Sequence, residues 1–144
     1  MANLEYITDF VKKCDTAFVS TLTLNGVPEV RALSNKINGN LVDDGVELYF
    51  TTFTNSPKIE QIRKNSDSSI YYYSVDDMRS VTLFGKIEVI DDKGLKDKIW
   101  RDEFKNFYPK GKDDELYGII KFTPTSYKYY IMDNGEFKMI EEKI

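Results

Sequence analysis

Small polar residues crowd positions 51–56, where a predicted strand runs directly into a predicted helix. Asn55 or Ser56 can cap that helix, and Pro57 suits its first position because proline has no N–H group to leave unpaired. One small volume can then be surrounded by the unpaired N–H groups of the first turn, the Ser56 hydroxyl and the Lys58 ammonium. Such a volume suits a phosphate group. The alternative is an ordinary helix cap with a lysine in solvent.

An arginine on an earlier predicted strand supplies a second candidate ligand for an anion. In EVRALSNKI (29–37), strand alternation places Arg31 on the same face as Leu33, Asn35 and Ile37. An arginine among apolar neighbours is rarely buried without an anionic partner. A phosphate is one such partner, because a guanidinium can hold it with two parallel hydrogen bonds. An Asp or Glu partner, or a face open to water, are the alternatives.

The residues that are missing restrict the chemistry. The chain of 144 residues contains no histidine, which excludes Ser-His and Cys-His catalysis, the usual Cys/His zinc sites and haem held by histidine. We therefore predict no metal site, and if the protein is an enzyme we expect a cofactor to supply the reactive group. The net charge of −4 argues against broad attraction to nucleic acid or to an anionic membrane.

Composition and apolar patterning favour a soluble cytoplasmic protein. The N-terminal stretch MANLEYITDFVKKC lacks the apolar core of a signal peptide, and no apolar run approaches the roughly 20 residues that span a bilayer. A single cysteine, Cys14, excludes an internal disulfide. With 41% hydrophobic and 14% aromatic residues, the chain is expected to fold as one domain over residues 1–144.

The elements that must position these residues are mainly strands. We predict helices at 4–13, capped by Asn3, and at 57–64 and 91–107, with a loop at 38–45. We predict strands at 16–24, 29–37, 46–53, 68–75, 79–90, 116–124 and 126–142, with hairpin turns at Asn25-Gly26 and Asn134-Gly135. Six or seven antiparallel strands with short helices favour a closed or partly closed barrel, which hides the sheet edges.

Four segments spread over nearly the whole chain carry a family resemblance. They are FVSTLTLNGVPEVRALSN, LYFTTFTNSPKIEQIRKN, VTLFGKIEVI and IKFTPTSYKYY. In this order they resemble the pyridoxamine 5′-phosphate oxidase-like, FMN-binding split-barrel family, and most of all its small general-stress-protein branch. The resemblance implies an antiparallel split barrel of six to seven strands and a homodimer with FMN at its interface.

The resemblance also implies roles for individual residues. Arg31 and Lys58 correspond to ligands of the FMN phosphate, with Ser56 assisting at the helix start. The other implied cofactor-binding residues are Ala32, Leu33 and Ser34 beside the isoalloxazine ring, Thr51 and Thr52 at a strand end that meets the flavin and its ribityl chain, and Ser80, which replaces a glutamine that reaches the flavin across the dimer.

Departures from the family pattern argue against genuine pyridoxamine 5′-phosphate oxidation. Pro57 replaces a second basic residue, Ser80 is shorter than glutamine, and the C-terminal arginine and histidine are missing, since the last arginine is Arg101. We assign no catalytic residue. Three hypotheses stay open: an FMN-dependent oxidoreductase that transfers hydride or electrons to or from a small molecule, a non-enzymatic flavin-binding stress protein, and a relative that binds a deazaflavin or another phosphorylated ring.

Overall fold

A computed structural model describes residues 2–39 and 46–144, without the side chains of residues 2 and 3. The described helices are α1 (Ala2–Lys13), α2 (Pro57–Lys64) and α3 (Lys93–Ile99), with short 3-10 helices at Lys36–Gly39, Asp102–Asn106 and Gly111–Asp113. The described strands are β1 (Thr16–Leu22), β2 (Pro28–Ser34), β3 (Leu48–Phe53), β4 (Asp67–Ser74), β5 (Arg79–Ile90), β6 (Tyr117–Asp133) and β7 (Glu136–Lys143). No helix among the described residues is both long and apolar enough to cross a membrane. The prediction that Asn3 caps α1 is wrong, because the helix already begins at Ala2. The side chain of Asn3 and residues 40–45 of the predicted loop lie outside the described part.

The strands of the described residues form one antiparallel, seven-stranded, curled sheet. Its order is β2-β1-β4-β5-β6-β3, and β7 pairs with β6. The long strand β6 pairs with two strands along one of its edges: residues 117–122 pair with β3, and residues 126–133 pair with β7. Strand β5 pairs with β6 along the other edge. The prediction of a mainly β split barrel with short helices is confirmed.

The main core lies inside the curl, because alternate residues of the strands point there. On β1, Ala17, Val19 and Thr21 are buried, as strand alternation requires. Helices α1 and α2 contribute Ile7, Phe10, Val11, Ile59 and Ile62 to the same cluster. Burying one such large side chain stabilises the fold by roughly 1.5–3 kcal/mol relative to leaving it exposed.

Both predicted hairpin turns are confirmed. Gly26 has φ of +82° and Gly135 has φ of +83°, the left-handed region that glycine enters without steric cost. Asn134 also has positive φ, at +51°, as the Asn-Gly signal of a two-residue hairpin requires. The predicted bounds of α2 and β5 also match the structure residue for residue.

Strand β2 ends at Ser34, three residues earlier than predicted, because the Asn35 side chain hydrogen-bonds with other elements of the fold. Its buried amide donates to the carbonyls of Val11 and Cys14, both at 2.8 Å, which lie at the end of α1. Its Oδ1 accepts from the Tyr72 hydroxyl at 2.9 Å and from Asn38 Nδ2 at 2.9 Å. The chain then turns into a 3-10 helix instead of continuing as a strand.

The predicted helix 91–107 is wrong beyond residue 99. It is split into α3 and a 3-10 helix, because Trp100 leaves the helical conformation with ψ of 139°. The indole packs edge-on against Tyr117 and Phe104, with ring centroids 5.2 Å and 5.6 Å away. This contact belongs to a second core around Ile99, Tyr108 and Tyr117. Tertiary packing thus overrides the helical pattern of the sequence.

The two last predicted strand segments, 116–124 and 126–142, are divided differently in the structure. β6 runs without a break through Pro124, and the chain reverses only at Asn134-Gly135. The pairing register shifts between Phe84 and Gly85, opposite the proline. A Cβ at Gly85 would lie 2.1 Å from the Thr123 carbonyl oxygen, so only glycine permits this close approach.

The Asn35 network gives a first testable prediction. We expect Asn35→Ala to lower the free energy of unfolding by about 3 kcal/mol, because it leaves buried carbonyls and a buried hydroxyl without partners. Chemical denaturation monitored by tryptophan fluorescence measures the change. The matched control is Asn55→Ala, at an exposed position, for which we expect less than about 0.5 kcal/mol. Equal stabilities of the two variants would contradict the assigned role of the network.

Candidate anion-binding site

Arg31 lies on the inner face of β2, near one end of the curled sheet. It stands opposite Val19 of β1, and Leu33 stands opposite Ala17, so Arg31 and Leu33 share the inner face as predicted. Asn35 and Ile37, predicted on the same face, lie beyond the end of the strand. The Arg31 side chain is only 20% exposed, so its charge requires polar partners.

The partners of Arg31 come from three directions. Its Nη1 donates to Thr21 Oγ1 at 2.7 Å and to the carbonyls of Val19 and Glu29, both at 3.3 Å. Its Nη2 donates to Glu29 Oε1 at 3.1 Å and to Gln61 Oε1 at 3.4 Å. A carboxylate partner, one of the alternatives left open by the sequence, is therefore present, and it is 50% exposed.

Thr21 and Gln61 are site residues that the sequence analysis missed. Both are buried, and Thr21 Oγ1 donates to Gln61 Oε1 at 2.6 Å. Gln61 Nε2 in turn donates to Glu29 Oε1 at 3.0 Å. In the sequence, Thr21 follows Val19 by two residues on the predicted strand, so strand alternation places its hydroxyl on the apolar face. Gln61 gave a weaker signal, as a polar residue beside the inward-facing Ile62 of α2.

The strand-to-helix joint supplies the second cation of the site. Ser56 is the N-cap of α2, and its Oγ accepts from the Lys58 backbone N–H at 3.4 Å, while Pro57 occupies the first turn as predicted. The Lys58 ammonium donates to the buried Thr52 Oγ1 at 2.7 Å. Thr51 points to the opposite side of β3, where its side chain hydrogen-bonds with Tyr108. Only Thr52 of the predicted threonine pair therefore contacts Lys58 through its side chain.

Arg31 and Lys58 are close enough for their charges to interact. Burial lowers the pKa of Lys58, and the positive charge of Arg31 lowers it further. Burial also lowers the pKa of Arg31, an effect that the Glu29 carboxylate opposes. Among the described residues no carboxylate forms an ion pair with Lys58. Of these two partly buried cations only Arg31 has a carboxylate partner in the described part of the chain, Glu29, an arrangement that favours binding of a further anion.

The remaining predicted site residues lie on the sheet around this cluster. Leu33 is half-buried on the inner face, whereas Ala32 and Ser34 are exposed on the outer face of β2. Ser80 is half-buried on β5, where it pairs with Tyr73 and Tyr130. Strands β1 and β4 separate β5 from β2, so Ser80 does not meet Arg31 within one copy of the chain.

Exposed aromatic side chains lie on the outer face of the sheet, between Ala32 on β2 and Ser80 on β5. Ala32 pairs with Phe18, and Phe18 pairs with Tyr71, so the three side chains form one row across β2, β1 and β4. Tyr71 and Tyr73 stack with ring centroids 6.5 Å apart. The outer aromatic face, as we call it, consists of the exposed residues Phe18, Tyr71, Tyr73 and Tyr130.

The sequence and the fold agree with one family of known proteins. A family model described as pyridoxamine 5′-phosphate oxidase like matches residues 2–143. The chain belongs to this family. No curated protein compared with the chain matches it significantly. The resemblance stated from the sequence is therefore confirmed at the level of the pyridoxamine 5′-phosphate oxidase-like family.

Several solved structures are similar to this family member over almost its whole length. A Clostridium acetobutylicum protein of the pyridoxinephosphate oxidase family, related to general stress protein 26 of B. subtilis, is 27% identical with a TM-score of 0.80; the match covers 99% of this chain and 95% of that chain. General stress protein 26 from Bacillus anthracis is 24% identical with a TM-score of 0.74, over 97% and 100% of the two chains. A NimC/NimA family protein from Clostridium acetobutylicum is 18% identical with a TM-score of 0.70, over 98% and 93% of the two chains. The last two likenesses show the fold alone.

The buried polar contacts of Gln61 give a second prediction. We expect Gln61→Leu to lower the free energy of unfolding by about 1–3 kcal/mol, because Thr21 loses its acceptor and Glu29 loses a donor. Thermal and urea unfolding measure the change. Glu60→Ala, at an exposed neighbouring position of α2, is the control and is expected to stay within about 0.5 kcal/mol of the wild type. A fully stable Gln61→Leu variant would show that the network does not need this amide.

Proposed function

We propose that this member of the pyridoxamine 5′-phosphate oxidase-like family binds FMN and works as a flavin-dependent oxidoreductase on a small molecule. The single observation that carries the proposal is the convergence of Arg31 and Lys58 beside α2, where Arg31 donates to Gln61 and Lys58 lies in the first turn. Family membership supports the choice of a flavin as the ligand. The proposal treats residues 1–144 as one FMN-binding domain of a cytoplasmic protein.

The residues present fit a phosphate monoester. Arg31 and Lys58 supply two positive charges against a dianion, and the Ser56-capped first turn of α2 adds the positive end of a helix dipole. Each charge-assisted hydrogen bond contributes roughly 1.5–3 kcal/mol, so the phosphate contacts alone approach micromolar affinity only if their energies add. A tightly bound ligand therefore also buries ring surface, which an isoalloxazine provides.

The chain positions the cofactor, and the cofactor supplies the redox chemistry. When bound, the flavin ring accepts and donates hydride or electrons. Thr52 orients the Lys58 ammonium, while Thr21 and Gln61 orient the Arg31 guanidinium. The backbone of residues 32–34 lies next to Arg31 on the same strand, which supports its proposed place beside the ring. Ser56 completes the proposed set at the strand-to-helix joint. Thr51 is included only through its backbone, since its side chain points to the opposite side of β3, toward Tyr108.

A homodimer with FMN at its interface is part of the proposal. The outer aromatic face exposes large rings that a soluble surface does not usually gather in one patch. Ala32 and Ser34 lie at one end of the same face, next to the proposed ring site. Ser80 is separated from Arg31 within one copy, so we propose that it reaches the flavin held by the second copy.

Flavin binding gives the third prediction. We expect the purified protein to be yellow or to take up added FMN, and Arg31→Ala and Lys58→Ala each to weaken FMN binding about tenfold to a hundredfold because a charge-assisted contact is lost. Fluorescence titration measures the affinity. The control Lys64→Ala removes one charge at the far end of α2 and should leave FMN binding within about twofold of the wild type.

Three measurements, namely FMN uptake, mass spectrometry of the extracted ligand and electron transfer, discriminate the alternatives. A colourless protein that takes up no FMN would refute the proposed function. Mass spectrometry of the extracted ligand separates FMN from a deazaflavin. A yellow protein that transfers no electrons from NADH or NADPH to a panel of acceptors would favour the non-enzymatic flavin-binding protein.

The proposed dimer gives the fourth prediction. We expect Tyr71→Arg to shift the protein from dimer to monomer, because Tyr71 is exposed in one copy and the proposed dimer contact would bury the new charge. Sedimentation velocity measures the shift. Leu24→Arg, in the turn between β1 and β2, is the control and should leave the assembly unchanged. A wild-type protein that sediments as a monomer would contradict the proposal.

A further inference from the structure

The terminal nitrogens of Arg31 are all engaged by acceptors of the protein itself. Nη1 donates to Thr21 Oγ1 and to two backbone carbonyls, and Nη2 donates to Glu29 Oε1 and Gln61 Oε1. Each of these nitrogens carries two N–H groups. A phosphate that approaches the guanidinium with two parallel hydrogen bonds must therefore take the place of at least one of these acceptors.

The acceptors differ in how easily they can leave. Thr21 is 2% exposed and Gln61 is 7% exposed, and they hydrogen-bond each other inside the barrel. The backbone carbonyls of Val19 and Glu29 belong to paired strands. The Glu29 carboxylate is the remaining acceptor, and it is 50% exposed. It can rotate into solvent without breaking the sheet.

We propose that Glu29 is an internal counter-ion of the phosphate site, whose carboxylate competes with the ligand phosphate for Arg31 and so sets the affinity for phosphorylated ligands. This inference rests on the proposed function and names the residue that tunes it. Gln61 Nε2 holds the competing carboxylate in place at 3.0 Å, so Gln61 contacts both members of the ion pair. Release of Glu29 leaves Arg31 and Lys58 as two uncompensated cations facing a dianion.

The charge distribution supports this role. Glu29 partly restores the pKa of Arg31 that burial lowers, so the two groups interact as an ion pair. Lys58 has no such carboxylate among the described residues, and its pKa is lowered by burial and by Arg31. While Glu29 is in contact, the cluster of Arg31, Lys58 and Glu29 carries one net positive charge. A ligand with ring surface compensates for the lost ion pair, whereas inorganic phosphate does not.

The test compares Glu29→Gln with the wild type in titrations with FMN and with riboflavin, which lacks the phosphate. Glutamine keeps the hydrogen-bonding shape and removes the charge, so we expect about threefold to tenfold tighter FMN binding and no change for riboflavin. In the background of Arg31→Ala, the same substitution should no longer improve FMN binding, because the competition needs the guanidinium. Glu60→Gln changes the net charge equally on exposed α2 and should leave FMN affinity within about twofold.

The outcomes separate this inference from the proposed function. Equal FMN affinity of the wild type and Glu29→Gln, with the expected loss in Arg31→Ala, would overturn the inference and leave the proposed function standing. Weaker FMN binding by Glu29→Gln would also overturn it, since Glu29 would then orient Arg31 instead of competing with the ligand. An improvement for riboflavin as large as for FMN would overturn it in favour of a general effect on the fold. Absence of FMN binding in every variant would overturn the inference and the proposed function together.

Discussion

The Arg31 guanidinium and the Lys58 ammonium lie close together at the rim of an apolar barrel. Much of the local structure supplies polar partners to these two partly buried charges. Charged groups removed from water destabilise a fold unless polar partners replace the lost hydration. Arg31 obtains these partners from Thr21, Gln61 and Glu29, and Lys58 obtains one from Thr52. One carboxylate against two cations leaves an excess of positive charge at the rim.

The fold meets this constraint by bringing one end of the sheet against the second helix. Strand β1 pairs with β2 on one side and β4 on the other, so its inner residues lie under α2 as well as beside Arg31. The N-cap at Ser56 and the proline after it fix the direction in which α2 leaves β3. That direction sets both the Lys58 side chain and the Gln61 amide toward the rim.

Other parts of the chain support the strands and the helix that carry Arg31 and Lys58. The buried Asn35 network ties the end of α1 to β4 and to the 3-10 helix that follows β2. A second core around Trp100 and Tyr117 supports β3 from its other face. Gly85 allows β5 and β6 to approach closely where the register shifts. The outer aromatic face remains exposed because these supports lie elsewhere.

Local sequence features were sufficient for most of the strands, the hairpin turns and the helix start at Ser56, since each depends on neighbouring residues. Alternation placed Arg31 and Leu33 on the inner face, and the ordered segments carried the family resemblance. Local pattern failed where a distant partner took over, as at Asn35, which ends β2, and at Trp100, which ends α3.

The residues that surround Arg31 were decided by the tertiary structure. Thr21 and Gln61 are 40 residues apart, and Arg31 and Gln61 are 30 apart, so only the folded sheet brings them into contact. From the sequence, three environments stayed open for Arg31: a phosphate, an Asp or Glu carboxylate, or a strand face open to water. The structure places the Glu29 carboxylate on Arg31: their spacing on the strand puts both on one face, and Gln61 of the distant helix α2 donates to the same carboxylate oxygen and holds it there.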